Sequence, residues 1–116
     1  MRKIKDSNLR RFKKINSRII NLGYNIVARE FPIYVRYLKD DDIFALLYAP
    51  SEEYFEVGFN INKKISSDFI DASWMKYDNI KYSVRIYEDT NIDKLFNVLN
   101  KYFKNDAMRE SKDFND

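Results

Sequence analysis

The stretch YFEVGFNI, residues 54–61, alternates without a break: Phe55, Val57, Phe59 and Ile61 point one way, Tyr54, Glu56, Gly58 and Asn60 the other. A period of two held this long fits a strand with one buried face and one polar face. IKYSVRIY, residues 80–87, repeats it, with Ile80, Tyr82, Val84 and Ile86 set against Lys81, Ser83, Arg85 and Tyr87. Such one-sided strands need an apolar layer on one side only.

The chain supplies that layer twice. Leu9, Phe12, Ile15, Ile19 and Leu22 recur at helical spacing behind Asp6 or Ser7, either of which can cap, and Gly23 offers a left-handed stop. Near the other end, Thr90 or Asn91 starts a helix with Ile92, Leu95, Phe96, Val98, Leu99, Tyr102 and Phe103 on one broad face and Lys94, Asn97, Lys101 and Lys104 on the other.

Between the helices, YNIVAREF reads as a short edge strand or a loop, because Pro32 cannot donate to a ladder. IYVRYL and DDIFALLYA are strands joined by the KDDD turn, and Pro50 and Ser51 turn the chain into residues 54–61. Ser66 or Ser67 is placed to cap a short helical segment, SSDFIDASWM, that carries Phe69, Ile70 and Trp74 toward the sheet, with Trp74 in the core or plugging an edge. A loop, KYDN, then leads to the strand at 80–87. The expectation is an α+β two-layer sandwich: an antiparallel sheet of four to five strands with the N- and C-terminal helices packed on one face. Residues 1–104 form the single domain, and 105–116 form a polar, flexible tail.

Composition excludes much chemistry. The 116 residues contain no Cys and no His, which removes disulfides, thiolate or imidazole metal sites, and any Ser-His-Asp hydrolase. With two Gly in the whole chain, a glycine-rich phosphate loop is not expected either. MRKIKDSNLRRFKK opens basic but has no apolar run behind it, so neither a signal peptide nor a membrane helix is expected, and the absence of Cys fits the cytoplasm. No catalytic constellation and no cofactor are expected.

Charge is uneven. Residues 1–22 carry eight Lys/Arg against one Asp, leaving thirteen basic against seventeen acidic residues for the remainder. Arg10, Arg11, Lys14 and Arg18 share the outer arc of the first helix, a surface that can meet phosphates; a solvated helix face is the simpler reading, so nucleic acid is an alternative and not the favoured partner. The polar strand face, with Tyr54, Glu56, Asn60, Arg85 and Tyr87, has the tyrosine and arginine content of an interaction surface. Asp40, Asp41 and Asp42 with Glu52 and Glu53 offer oxygen ligands for a hard cation, but consecutive turn residues diverge and the spacing is not that of a calcium loop. The two acidic groups also lie at opposite ends of the strand they share, so a pair of hairpin turns is the preferred reading.

IFALLYAPSEEYFEVGFNI, followed by NIKYSVRIYEDTNIDKLFNVLNKYF, resembles the YdhG-like small bacterial domains and related uncharacterised families, over about residues 8–104. That group includes frataxin-like iron chaperones, so the resemblance implies a binding domain more than a catalyst, with metal handling through the surface carboxylates as an alternative. Taken together, a small binding domain for another protein or a small ligand is expected, with self-association through the sheet left open.

Overall fold

The computed structural model describes residues 6–75 and 79–115, with side chains at 8–75 and 79–104. Its elements are α1 (Asp6–Ile20), β1 (Ile26–Glu30), β2 (Tyr34–Lys39), β3 (Asp42–Tyr48), β4 (Tyr54–Phe59), β5 (Phe69–Asp71), β6 (Tyr82–Tyr87) and α2 (Ile92–Asn115). The strands form one antiparallel sheet in the order β1-β2-β3-β4-β6-β5. The α+β fold with both helices on one face is as expected, and the sheet has six strands where four or five were expected.

One core joins the layers. Ile15 and Ile19 from α1, Leu22 from the turn after it, and Ile92, Leu95, Phe96 and Leu99 from α2 pack with Val35, Tyr37, Leu47, Phe55, Val57, Phe59, Val84 and Ile86 from the sheet. Ring contacts knit it, with Phe59 edge-on to both Phe69 and Phe96. At β2–β3 the register slips between Tyr37 and Leu38, so Phe44 is the extra residue of a bulge. Phe44 and Ala45 are therefore both buried, and Phe44 reaches Phe103, with ring centroids 4.9 Å apart.

Local chemistry sets the element ends. Asn91 caps α2, its side-chain oxygen accepting from the Lys94 N–H at 3.0 Å, while Thr90 accepts from the Tyr87 N–H. The cap expected from Asp6 or Ser7 lies outside the described side chains. Gly23 is not the left-handed residue after α1; Asn25 is, at φ 60°, a conformation its short polar side chain tolerates. Asp40 and Asp41 have φ of 51° and 68° between the paired residues Lys39 and Asp42, which makes them the central pair of a two-residue type I′ hairpin.

The segment 66–75 departs from the expected helix. Ser66 does use its hydroxyl as a local acceptor, for the Asp68 N–H, but the chain then runs into β5 at the sheet edge and a 3-10 turn, Ser73–Met75, whose first N–H bonds to Asp71. Phe69 enters the core by pairing beside Val84, and strand pairing outweighs the capping signal. The loop expected at KYDN lies outside the described residues except for Asn79. The backbone of α2 is helical as far as Asn115, and its described packing runs to Phe103.

Candidate functional site

The sheet face away from the helices carries the site. Cross-strand pairing lines up Tyr34, Tyr48, Glu56 and Arg85 across β2, β3, β4 and β6. Glu56 is a carboxylate only 1% exposed, and its oxygens are held on three sides. The Tyr48 hydroxyl donates to Oε2 at 2.6 Å, the Ser83 hydroxyl donates to the same oxygen at 3.4 Å, and Arg85 Nε donates to Oε1 at 3.0 Å. A buried charge persists only when paired and hydrogen-bonded, and Glu56 has both kinds of support.

The network acts back on its members. Burial first, and then the bond to Glu56, pushes the Tyr48 phenol well above its ordinary value of 10.0, so it stays a neutral donor. The bond to Glu56 likewise raises Arg85. Arg85 is fixed along its length, with its guanidinium carbon 5.1 Å from the centre of the Tyr54 ring, which in turn lies 5.2 Å from the Tyr87 ring.

Two flanks complete the face. On one side Arg36 lies over the Phe31 ring at 4.9 Å and donates to the Tyr34 hydroxyl at 3.0 Å. On the other, Trp74 stands edge-on to Tyr48 and is 55% exposed. Trp74, expected in the core or plugging an edge, is instead lifted by the 3-10 turn onto the polar face. Ala72, Ile80 and Met75 on either side of it pack with Leu46, Tyr34 and Ile43 as a second, smaller core. Gly58 makes room for that packing: a Cβ there would meet Ile80 Cγ2 at 2.7 Å and Met75 Sδ at 2.9 Å.

Tyr54, Glu56, Arg85 and Tyr87, expected as a binding face, are brought together. Asn60, expected with them, lies past the end of β4 and donates to the Ile43 carbonyl at 3.2 Å, so it closes the β3–β4 ladder and makes no bond to Glu56. Tyr48, Ser83 and Trp74 complete the cluster without having been expected in it. Ser83 was marked only by its alternation register in 80–87, Tyr48 carried no such mark, and the sole hint of the folded-back connection was a glycine inside a strand. Beside the cluster a shallow groove, lined by Asp68, Ile70, Arg85, Tyr87, Asn91 and Lys94, runs along β6 where β5 has ended.

The basic face of α1 is partly engaged. Asp93, at the start of α2, pairs with Arg18 and lies 3.6 Å from Lys14. Arg11 bonds Asn8 and sits 5.1 Å over the Phe55 ring, while Arg10 is exposed. The acidic residues Asp40, Asp41 and Asp42 form the β2–β3 turn, and Glu52 and Glu53 form the β3–β4 turn at the other end of β3. Among the described residues, no three His, Cys, Asp or Glu side chains converge on a metal position, and no helix is long and apolar enough to cross a membrane.

The fold and the cluster define a two-layer α+β domain with a tyrosine-arginine face. No protein-family model, curated protein or solved structure matches the chain.

Proposed function

We propose that this chain is a small binding domain that takes another protein, or a small ligand, at the Arg85 end of its polar sheet face. One observation carries the reading: the buried Glu56 holds Arg85 by its Nε at 3.0 Å while the guanidinium lies over the Tyr54 ring, next to exposed Tyr87. An arginine fixed in this way loses little freedom when it meets an acceptor, and aromatic neighbours add contact area at low entropic cost. A carboxylate-bearing partner lying in the groove along β6 satisfies both features.

A photoreactive residue substituted at Tyr87 in the full chain tests it, with a matched substitution at Arg10 on the helix side as control. Specific adducts from position 87 that disappear on Arg85→Ala support the reading. Adducts that ignore Arg85, or that form equally from position 10, overturn it.

A further inference from the structure

Among the described residues, three of the four most exposed large apolar side chains crowd around one sheet edge: Tyr24 at 90%, Ile33 at 70% and Val27 at 55%, the last within β1 and the others just before and after it; the fourth, Trp74, lies on the polar face. β1 is the terminal strand on that side, and Val27 to Glu30 are all exposed. An edge strand of this kind is a template for another strand.

Hydrogen-bond parity shows what the template displays. The Phe31 N–H bonds the Tyr34 carbonyl, and the β1–β2 register places Arg29 opposite Arg36 and Val27 opposite Leu38 in the same alternation. Arg29 and Val27 therefore aim their main-chain groups at β2, and Ile26, Ala28 and Glu30 aim theirs outward.

We propose that the occupant of this edge is a second copy of the chain, paired antiparallel through β1 about a two-fold axis at Ala28. Ala28 then faces itself and Ile26 faces Glu30, so the outward main-chain groups of the strand satisfy one another. Both helix layers stay on the same side, and two six-stranded sheets become one. On the polar face, each Arg29 stem covers the exposed Val27 of the other copy. On the helix side, Glu30 comes within side-chain reach of Lys39 of the second copy, because Lys39 is the neighbour of Ile26. Tyr24 comes opposite Pro32, beside Ile33. The neighbouring registers are worse: centring on Arg29 sets Arg29 against itself, and centring on Val27 leaves Glu30 beyond the second copy's strand.

The absence of cysteine makes the register directly testable. In an Ala28→Cys variant the paired Cα atoms stand about 5.5 Å apart, within disulfide range, whereas Glu30→Cys positions are offset by roughly 14 Å along the strands and out of reach. The expected result is a wild-type dimer in sedimentation across the micromolar range, rapid oxidative cross-linking of Ala28→Cys, and none of Glu30→Cys. Ala28→Pro removes an outward N–H that β2 does not use; it should weaken the dimer about tenfold or more while leaving the far-ultraviolet circular dichroism of the fold unchanged. A wild-type monomer throughout that range overturns the proposal, as does cross-linking at position 30 in place of 28.

Discussion

Tyr48 and Glu56 are direct neighbours across β3 and β4, and the phenol donates to the carboxylate at 2.6 Å. Tyr48→Phe removes the shortest of three bonds to a buried charge, and Arg85 and Ser83 remain. The expected loss is about 1.5–3 kcal/mol of stability, as for other hydrogen bonds to charged groups, measured by urea unfolding at neutral pH.

The same phenol makes the fold sensitive to alkali. Tyr48 and Tyr37 are both raised above 10.0, chiefly by burial, so the folded state holds their protons after the unfolded chain has released its own. Their contribution is complete below pH 10 and declines as pH rises above it, by about 1.4 kcal/mol per pH unit for each phenol. Stability measured from pH 9 upward should therefore fall in the wild type. In Tyr48→Phe it should fall with about half that slope, since Tyr37 alone remains.

Gly58→Ala tests how closely the folded-back connection lies on β4. The added methyl would overlap Ile80 and Met75 on the polar face. Overpacking of this kind costs about 1–3 kcal/mol. Trp74 lies next to Met75 in the same turn, so its fluorescence should change while the circular dichroism of the sheet holds.

Asp41→Gly should stabilise the protein. Asp41 has a φ of 68°, which glycine adopts without steric penalty, and an Asp-Gly pair is a preferred filling for a type I′ turn. The expected gain is about 0.5–1 kcal/mol, read from the denaturation midpoint. A loss would mean that the Asp41 side chain does more than turn the chain.

Asp93→Asn releases Lys14 and Arg18 and weakens the favourable charge at the start of α2. The pairs are exposed, so the expected loss is about 0.5–1 kcal/mol at low salt and less at 1 M salt. If nucleic acid were the partner, this variant should bind a single-stranded oligonucleotide more tightly than the wild type, since two cations of the α1 face regain their freedom. Unchanged or undetectable binding would count against that partner.

Legibility in the sequence followed periodicity. The alternation at 54–61 and 80–87 and the stripes of both helices were enough to place the main core between sheet and helices, because each pattern is long compared with its period; the smaller core on the polar face, which takes Ile80 out of the alternation, was not legible. β5 was not legible: Phe69–Asp71 is too short to show a period, and Ser66 carries the same signature whether it opens a helix or a turn. In the site, Glu56 and Arg85 could be set on one face from their own strands. The burial of Glu56 could not, since it depends on Tyr48 arriving from β3 past the bulge at Phe44, a slip that residue type does not announce.

The two rims of the sheet are unequal. One ends in five residues of β1, the other in three residues of β5, after which the chain turns back over the polar face. The shorter rim gives an incoming strand little to pair with, so growth by strand addition favours the β1 rim. Two molecules that meet through their favoured rims leave no equal rim for a third, and on the proposed pairing the unevenness that looks incidental in the monomer works against fibres.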